Sequence, residues 1–289
     1  MGLRAKFNLA FIAAFLVGFV AAGVILQQLF IDNAREQTLQ NARIMISAAN
    51  AIRTYTAHEI VPLTGFEKGG KFLPQSVPSY AAQTNFHEVA AQFADFTYKE
   101  ATLNPTAPTD RASDWEADFI NDFRAHASET ELVGERNTAT GRALTLAHPI
   151  TIHDPACLSC HSTPAAAPAS MIALYGTANG FGWNNNETVG AQIVSVPMSV
   201  PLAKAQHTFI VFMAILFAVF LVIIVILNVL LHYVVIQPVV RVSRIANAVS
   251  LGEPDVEEYE KKGNDEIASL SQSFNRMRRS LDSAMSMLQ

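Results

Sequence analysis

The chain has 289 residues, half of them hydrophobic, and a formal net charge of −5. That charge averages over several environments, and no basic patch of the kind that grips nucleic acid stands out. With only two cysteines, a zinc site built from two cysteine pairs is excluded.

The first element is an almost uncharged run over residues 9–30, and a second such run covers residues 209–235. Each reaches the ~20 apolar residues needed to cross a bilayer core. Runs this long and unbroken argue against buried core helices. Ala21-Ala22-Gly23 offers the small residues found at signal-peptide cleavage sites. The apolar stretch is too long for an ordinary leader, however, and reads as an anchor. Arg4 and Lys6 precede the first run, and Arg241 and Arg244 follow the second. Basic flanks face the cytoplasm. Residues 31–207 are therefore expected in the periplasm, held by a bacterial inner membrane.

Residues 33–59 predict a long helix that continues out of the first span. Its apolar positions are Leu39, Ala42, Ile46, Ala49 and Ile52, and no glycine or proline intervenes before Pro62. Turn-rich sequence follows through Gly65, Gly69-Gly70, Pro74 and Pro78. Further helices are expected over 80–93 and 114–127, separated by Asn104-Pro105 and Pro108. Short β-like runs lie at 143–147, 150–152 and 191–196. Helices first and strands later predict an α+β domain, its sheet covered by the long N-terminal helices. The segment is long enough to bury a core of its own.

Both cysteines fall in Cys157-Leu158-Ser159-Cys160-His161. A C-x-x-C-H run reads as a c-type haem attachment site. The two thiols form thioethers to the haem vinyl groups, and the adjacent histidine becomes the proximal iron ligand. A thioredoxin-like redox pair would need a βαβ setting near a helix N-terminus. This run instead lies between Thr151-Ile152-His153-Asp154-Pro155 and Ser162-Thr163-Pro164, which read as loop. Such haem is attached outside the bacterial cytoplasm, in agreement with the basic flanks. Gly176, Gly180 and Gly182 permit backbone conformations barred to other residues. Phe181 and Trp183 could wall a haem face or simply be core aromatics. Candidates for the position opposite His161 are Met45, His58, His148, His153, Met171 and Met198. Met45, on the helix continuing from the first span, is the expected distal ligand, with His58 as the alternative. Arg53 is expected to neutralise a haem propionate or to be an exposed helix charge.

After the second run come Pro238 and an apolar stripe at Val242, Ile245 and Val249. Gly252, Pro254 and Gly263 mark a non-helical connector. Asp265-Glu266 then opens a helix with apolar residues at Ile267, Leu270, Phe274, Met277, Leu281, Ala284 and Leu288. The alternating steps of three and four form a heptad seam. An amphipathic tail lying on the membrane is the plainer alternative.

Several separate motifs resemble the periplasmic c-haem domain family with a PAS-like fold. They are Arg53-Thr54-Tyr55-Thr56 with Pro62, Tyr98-Lys99-Glu100-Ala101 with Asn104-Pro105, and Asp114-Trp115-Glu116. The haem run extended to Pro164, Tyr175-Gly176, Gly180-Phe181-Gly182-Trp183 and Val194-Ser195-Val196-Pro197-Met198 complete the set. The resemblance covers residues 35–205 and implies a haem sensor module. It adds Tyr175 to the cofactor-binding residues Cys157, Cys160, His161, Arg53, Phe181 and Trp183. One described cyanobacterial member uses a cysteine opposite the haem histidine, and this chain has no third cysteine to do so. The two seamed helices after the second span resemble a HAMP domain, which implies a parallel four-helix bundle across a homodimer.

The expected organisation is a transmembrane anchor (1–30), a periplasmic PAS-like c-haem domain (31–207), a second transmembrane helix (208–235) and a HAMP domain (236–289). The expected function is a non-enzymatic sensor of redox state or a diatomic gas. It carries one covalent haem c and signals through the HAMP bundle to a separate cytoplasmic partner, since no kinase, cyclase or methyl-accepting segment follows. A membrane-anchored monohaem cytochrome serving a periplasmic redox partner is the competing expectation.

Overall fold

The computed structural model describes residues 2–94, 96–138, 141–253 and 256–287. Helix α1 runs over Leu3–Tyr55 and continues through a π-helical turn, Thr56–Ile60, into the short α2, Val61–Thr64. A two-stranded hairpin follows, β1 (Glu67–Lys68) and β2 (Lys71–Phe72). Then come α3 (Pro78–Gln92), β3 (Thr97–Thr102), α4 (Asp114–Ala125), β4 (Leu132–Thr138) and β5 (Gly141–Thr151). The short α5 (Leu158–His161) and α6 (Ala169–Tyr175) precede β6 (Thr188–Pro197). The chain ends with α7 (Ser199–Leu230), a second π-helical turn over Leu231–Ile236, α8 (Gln237–Ser250) and α9 (Glu266–Ser286). Two compact units result: residues 28–208, and residues 1–27 together with 209–289.

The unit of residues 28–208 is organised by an antiparallel sheet in the order β3-β6-β5-β4. Strand alternation gives each face its own core. On one face Val194 and Val196 of β6 and Leu144 and Leu146 of β5 pack against Leu39, Ala42 and Ile46 of α1. On the other, Ala147, Ala191 and Ile193 pack against Ile120 and Phe123 of α4. Helix α3 adds Ala82 and Phe86 against Ala49 of α1. The α1 stripe expected from its spacing is thus the stripe that is buried, and the mixed helix and sheet composition follows. Residues 143–147 and 150–151 are not two strands but one, β5, and Ile152 lies just beyond it. Pro149 is accommodated within it, and the register shifts only at Ile150/Thr151. Strands β3 and β4 and helix α6 were not anticipated. Strand β3 carries Lys99 and the buried Glu100, charges that disguise it. On α4, Glu116 accepts hydrogen bonds from the Ser113 backbone N–H (2.8 Å) and hydroxyl (2.9 Å), closing the helix start.

The other unit contains a pair of apolar helical segments, each long and apolar enough to cross a membrane. They meet through Phe15 stacked on Phe220, with ring centroids 3.4 Å apart, and through Gly23 against Met213. Beyond α8, the connector folds back onto α9. The Tyr259 carbonyl accepts from the Ser271 hydroxyl and from Asn275 Nδ2 (3.1 Å). Asp265 Oδ1 accepts from the Ala268 N–H at 2.8 Å and caps α9. The face of α9 buried within the chain is therefore Ala268, Ser271 and Asn275. The expected seam is offset from it: Leu270 is 46%, Met277 56% and Leu281 51% exposed. Pro254 and Leu288, also expected in this region, lie outside the described residues.

Candidate functional site

Asp154 starts the segment by accepting from the Ala156 N–H at 2.8 Å. That turn leads into α5, so Cys157, Cys160 and His161 sit on a single helical turn (Cys157–His161). The two cysteines form no disulfide with each other and are half-buried. Burial pushes the Cys157 thiol up, Asp154 adds to this, and the Arg53 charge opposes it. Among the described residues no group of three or more His, Cys, Asp or Glu side chains is arranged to hold a bare metal ion.

His161 is held from three sides. Its Nδ1–H donates to the Gly180 carbonyl at 2.7 Å. The Trp183 ring stacks on the imidazole, 4.0 Å between centroids and 14° from parallel. The Thr106 hydroxyl lies 3.5 Å from Nδ1. Burial holds the imidazole below its ordinary pKa, and the Gly180 carbonyl only partly offsets this. The carbonyl can only accept, so Nδ1 carries the proton, and in the neutral ring the Nε2 lone pair is left for a ligand. A paired thiol set with a pre-oriented imidazole fits a covalently tethered haem: Cys157 and Cys160 would hold its edge and His161 its iron.

The loop supplying the Gly180 carbonyl is fixed in turn. Gly180 N–H donates to Asn104 Oδ1 (3.2 Å), and Asn104 Nδ2 donates to the Phe181 carbonyl (3.1 Å). Gly182 N–H donates to the Ser162 carbonyl and Trp183 N–H to that of His161. Gly180 has φ +85°, and a Cβ there would fall 2.1 Å from Thr106 Oγ1 and 2.9 Å from Thr106 Cα. Only glycine fits that approach.

Behind this lies a polar network. Arg53 pairs with Glu100 of β3, whose side chain is almost fully buried. Tyr98 donates to Glu100 Oε1 at 2.8 Å, and Gln192 Nε2 reaches Tyr98 Oη (3.1 Å) and Asn50 Oδ1 (2.8 Å). Gln83 donates to Asp110 at 3.0 Å, and burial holds that carboxyl above its usual range.

The structure brings Cys157, Cys160, His161, Phe181 and Trp183 together. Trp183 packs on the imidazole itself, and Phe181 contributes its backbone carbonyl. Arg53 is neither free nor simply exposed, because the buried Glu100 takes its charge. Tyr175 sits at the end of α6, edge-on to Phe72 with centroids 6.1 Å apart. Met45 is half-buried and packs against two of the apolar clusters. His58 lies exposed on the π-helical turn, five positions beyond Arg53. Met171 and Met198 are buried, His153 is exposed, and His148 is 3.3 Å from Glu131. Thr106, Glu100, Gln83 and the Gly180 carbonyl were not anticipated as site residues. Asn104-Pro105 and the spaced glycines were the signals that pointed towards them.

The sequence model of the Tll0287-like family matches residues 31–197, more than half of the chain. The chain belongs to the Tll0287-like family. A HAMP domain is matched over residues 230–283. Among solved structures, the chain resembles the crystal structure of the cyanobacterial heme-protein Tll0287. The TM-score is 0.45 at 15% identity, covering 56% of this chain and 95% of that one. No curated protein matches.

Gly180→Ala is expected to destabilise the protein by about 1–3 kcal/mol, the cost of a non-glycine side chain at such a backbone. It should also release His161 from a single tautomer. Nitrogen NMR of the imidazole in haem-free protein is predicted to show the Nδ1–H form in the parent and a mixture in the variant.

Proposed function

We propose that this protein is a membrane-bound c-type haem sensor, with a PAS-like haem domain outside the inner membrane and a HAMP domain inside. The observation that carries it is the His161 imidazole, oriented by the Gly180 carbonyl beside two thiols at haem-attachment spacing. Membership of the Tll0287-like family supports haem as the cofactor, and the haem protein among the solved structures agrees. One haem is attached through Cys157 and Cys160, with His161 as proximal ligand. The bound haem supplies a redox couple and, where its far side is open, a site for a small ligand. Non-enzymatic signalling through the second span and the HAMP domain to a cytoplasmic partner fits the succession of modules.

The distal position is assigned to His58 rather than Met45. Met45 is committed to two apolar clusters, whereas His58 is exposed on a π-helical turn, a distortion frequent at functional sites. His58→Ala is predicted to shift the reduced spectrum and open the haem to carbon monoxide. Met45→Ala should instead lower stability by about 1 kcal/mol, as truncation of a half-buried side chain, and leave the spectrum unchanged. The opposite pattern returns the assignment to Met45.

The exposed seam of α9 supports a parallel homodimer, because Leu270, Met277 and Leu281 have no cover within one chain. Single cysteines at Leu270, Phe274, Met277 and Leu281, joined by a bismaleimide, are predicted to crosslink efficiently, and those at Gln272 and Arg279 poorly. The yield along this series should change when the haem is reduced. A periodic pattern indifferent to haem state would favour the electron-carrier reading, to which the half-buried cysteines are also suited. A series without periodicity would rule the dimer out.

A further inference from the structure

The paired apolar helices carry a polar cluster at the end where the chain begins. Asn8 and Asn228 exchange hydrogen bonds, each amide nitrogen 3.0 Å from the other's oxygen. Asn228 Nδ2 also donates to the Ile224 carbonyl at 2.9 Å. The Asn228 oxygen accepts a further bond from Arg4 Nε at 3.2 Å. This tethers the guanidinium by its inner nitrogen. Its two terminal nitrogens have no partner among the described residues.

Arg4 borders an open groove of about 490 Å³. Arg4, Asn228, His232 and Tyr233 form its polar part, and Ile224, Val225 and Val229 its apolar part. Among the described residues no carboxylate lines it. His232 and Tyr233 lie on the π-helical turn that leads into α8, their rings edge to face at 5.0 Å. A cation with an open donor fork, an imidazole and a phenol thus sit beside a strip of branched aliphatic side chains.

We propose that this groove binds an anionic glycerophospholipid, its phosphate on Arg4, His232 and Tyr233 and an acyl chain along Ile224, Val225 and Val229. The proposal rests on the reading that these helices span a membrane. A planar guanidinium fixed at Nε presents its remaining donors to two phosphate oxygens. The aliphatic strip selects a lipid over free phosphate. Lys6, Arg241 and Arg244 add positive charge to the same sequence flanks, which suits an anionic leaflet. A lipid held here bridges the first turn of α1 and the turn before α8. Headgroup charge then acts where the second span passes into the HAMP domain.

The test uses the full haem-loaded chain, reconstituted in bilayers of equal parts phosphatidylglycerol and phosphatidylcholine. Native mass spectrometry then counts the lipids that stay bound. One phosphatidylglycerol per chain is expected, in preference to phosphatidylcholine. Arg4→Gln should lower that preference about five-fold, the factor matching ~1 kcal/mol for one interfacial cation. Lys6→Gln should leave most of it, and millimolar inorganic phosphate should not displace the lipid. An unchanged haem spectrum in each variant reports an intact fold. The site is overturned if Arg4→Gln keeps the parent preference, if Lys6→Gln lowers it equally, or if phosphate displaces the lipid. A chain that never enters the bilayer brings down the membrane reading together with this site. A membrane-held chain with an Arg4-independent preference brings down the site alone.

Discussion

The hydrogen bond from His161 Nδ1 to the Gly180 carbonyl is the contact on which the site depends. An imidazole has two nitrogens, and only when one is committed as a donor is the other reliably a ligand. Committing Nδ1 requires a backbone carbonyl brought against the ring from 19 residues downstream. That approach requires a left-handed backbone at Gly180 and no side chain facing Thr106. Asn104 then holds the loop at two points, and Trp183 closes over the ring. The short C-x-x-C-H segment has little buried surface of its own, so its geometry is imposed by what surrounds it.

The sheet brings those surroundings together. Strands β3 and β6 are neighbours, and Thr102 pairs with Gly190. The segments at 104–106 and 180–187 therefore leave the sheet side by side. A Cβ at Gly190 would meet the Ala101 carbonyl oxygen at 2.4 Å, so this close pairing also needs glycine. On the same sheet, Glu100 draws Arg53 of α1 towards the site, and Gln192 ties Tyr98 to Asn50. A buried carboxylate without Arg53 would be costly, and removing one partner of such a pair commonly costs ~3–5 kcal/mol. With Arg53 about a quarter exposed, the lower end is the better guide. The network thus fixes α1 to the sheet beside the C-x-x-C-H segment and couples the two in position.

Much of this was legible in the sequence because its signals were local. Cys157, Cys160 and His161 are legible as a group because they fall within five residues. The α1 stripe at Leu39, Ala42, Ile46 and Ala49 follows helical spacing and is the stripe that packs. The apolar runs needed only length and composition. What stayed hidden depended on contacts across the fold. Lys99 and Glu100 in β3 look like surface charges until Glu116 and Arg53 are seen to meet them. Met45 reads as a ligand candidate by residue type, yet two clusters converge on it. The seam of α9 was read correctly as apolar, but its neighbours Ser271 and Asn275 are what the connector engages. Polar contacts to a backbone carbonyl leave no periodic trace.

On the proposed function, residues 157–161 carry haem covalently, with His161 oriented to ligate it. The most direct measurement is the mass of the proteolytic peptide containing these residues, from protein made alongside a c-type cytochrome maturation system. One haem is expected on that peptide, lost when Cys157 and Cys160 are both replaced by alanine. An unmodified peptide from protein purified with its haem would contradict it.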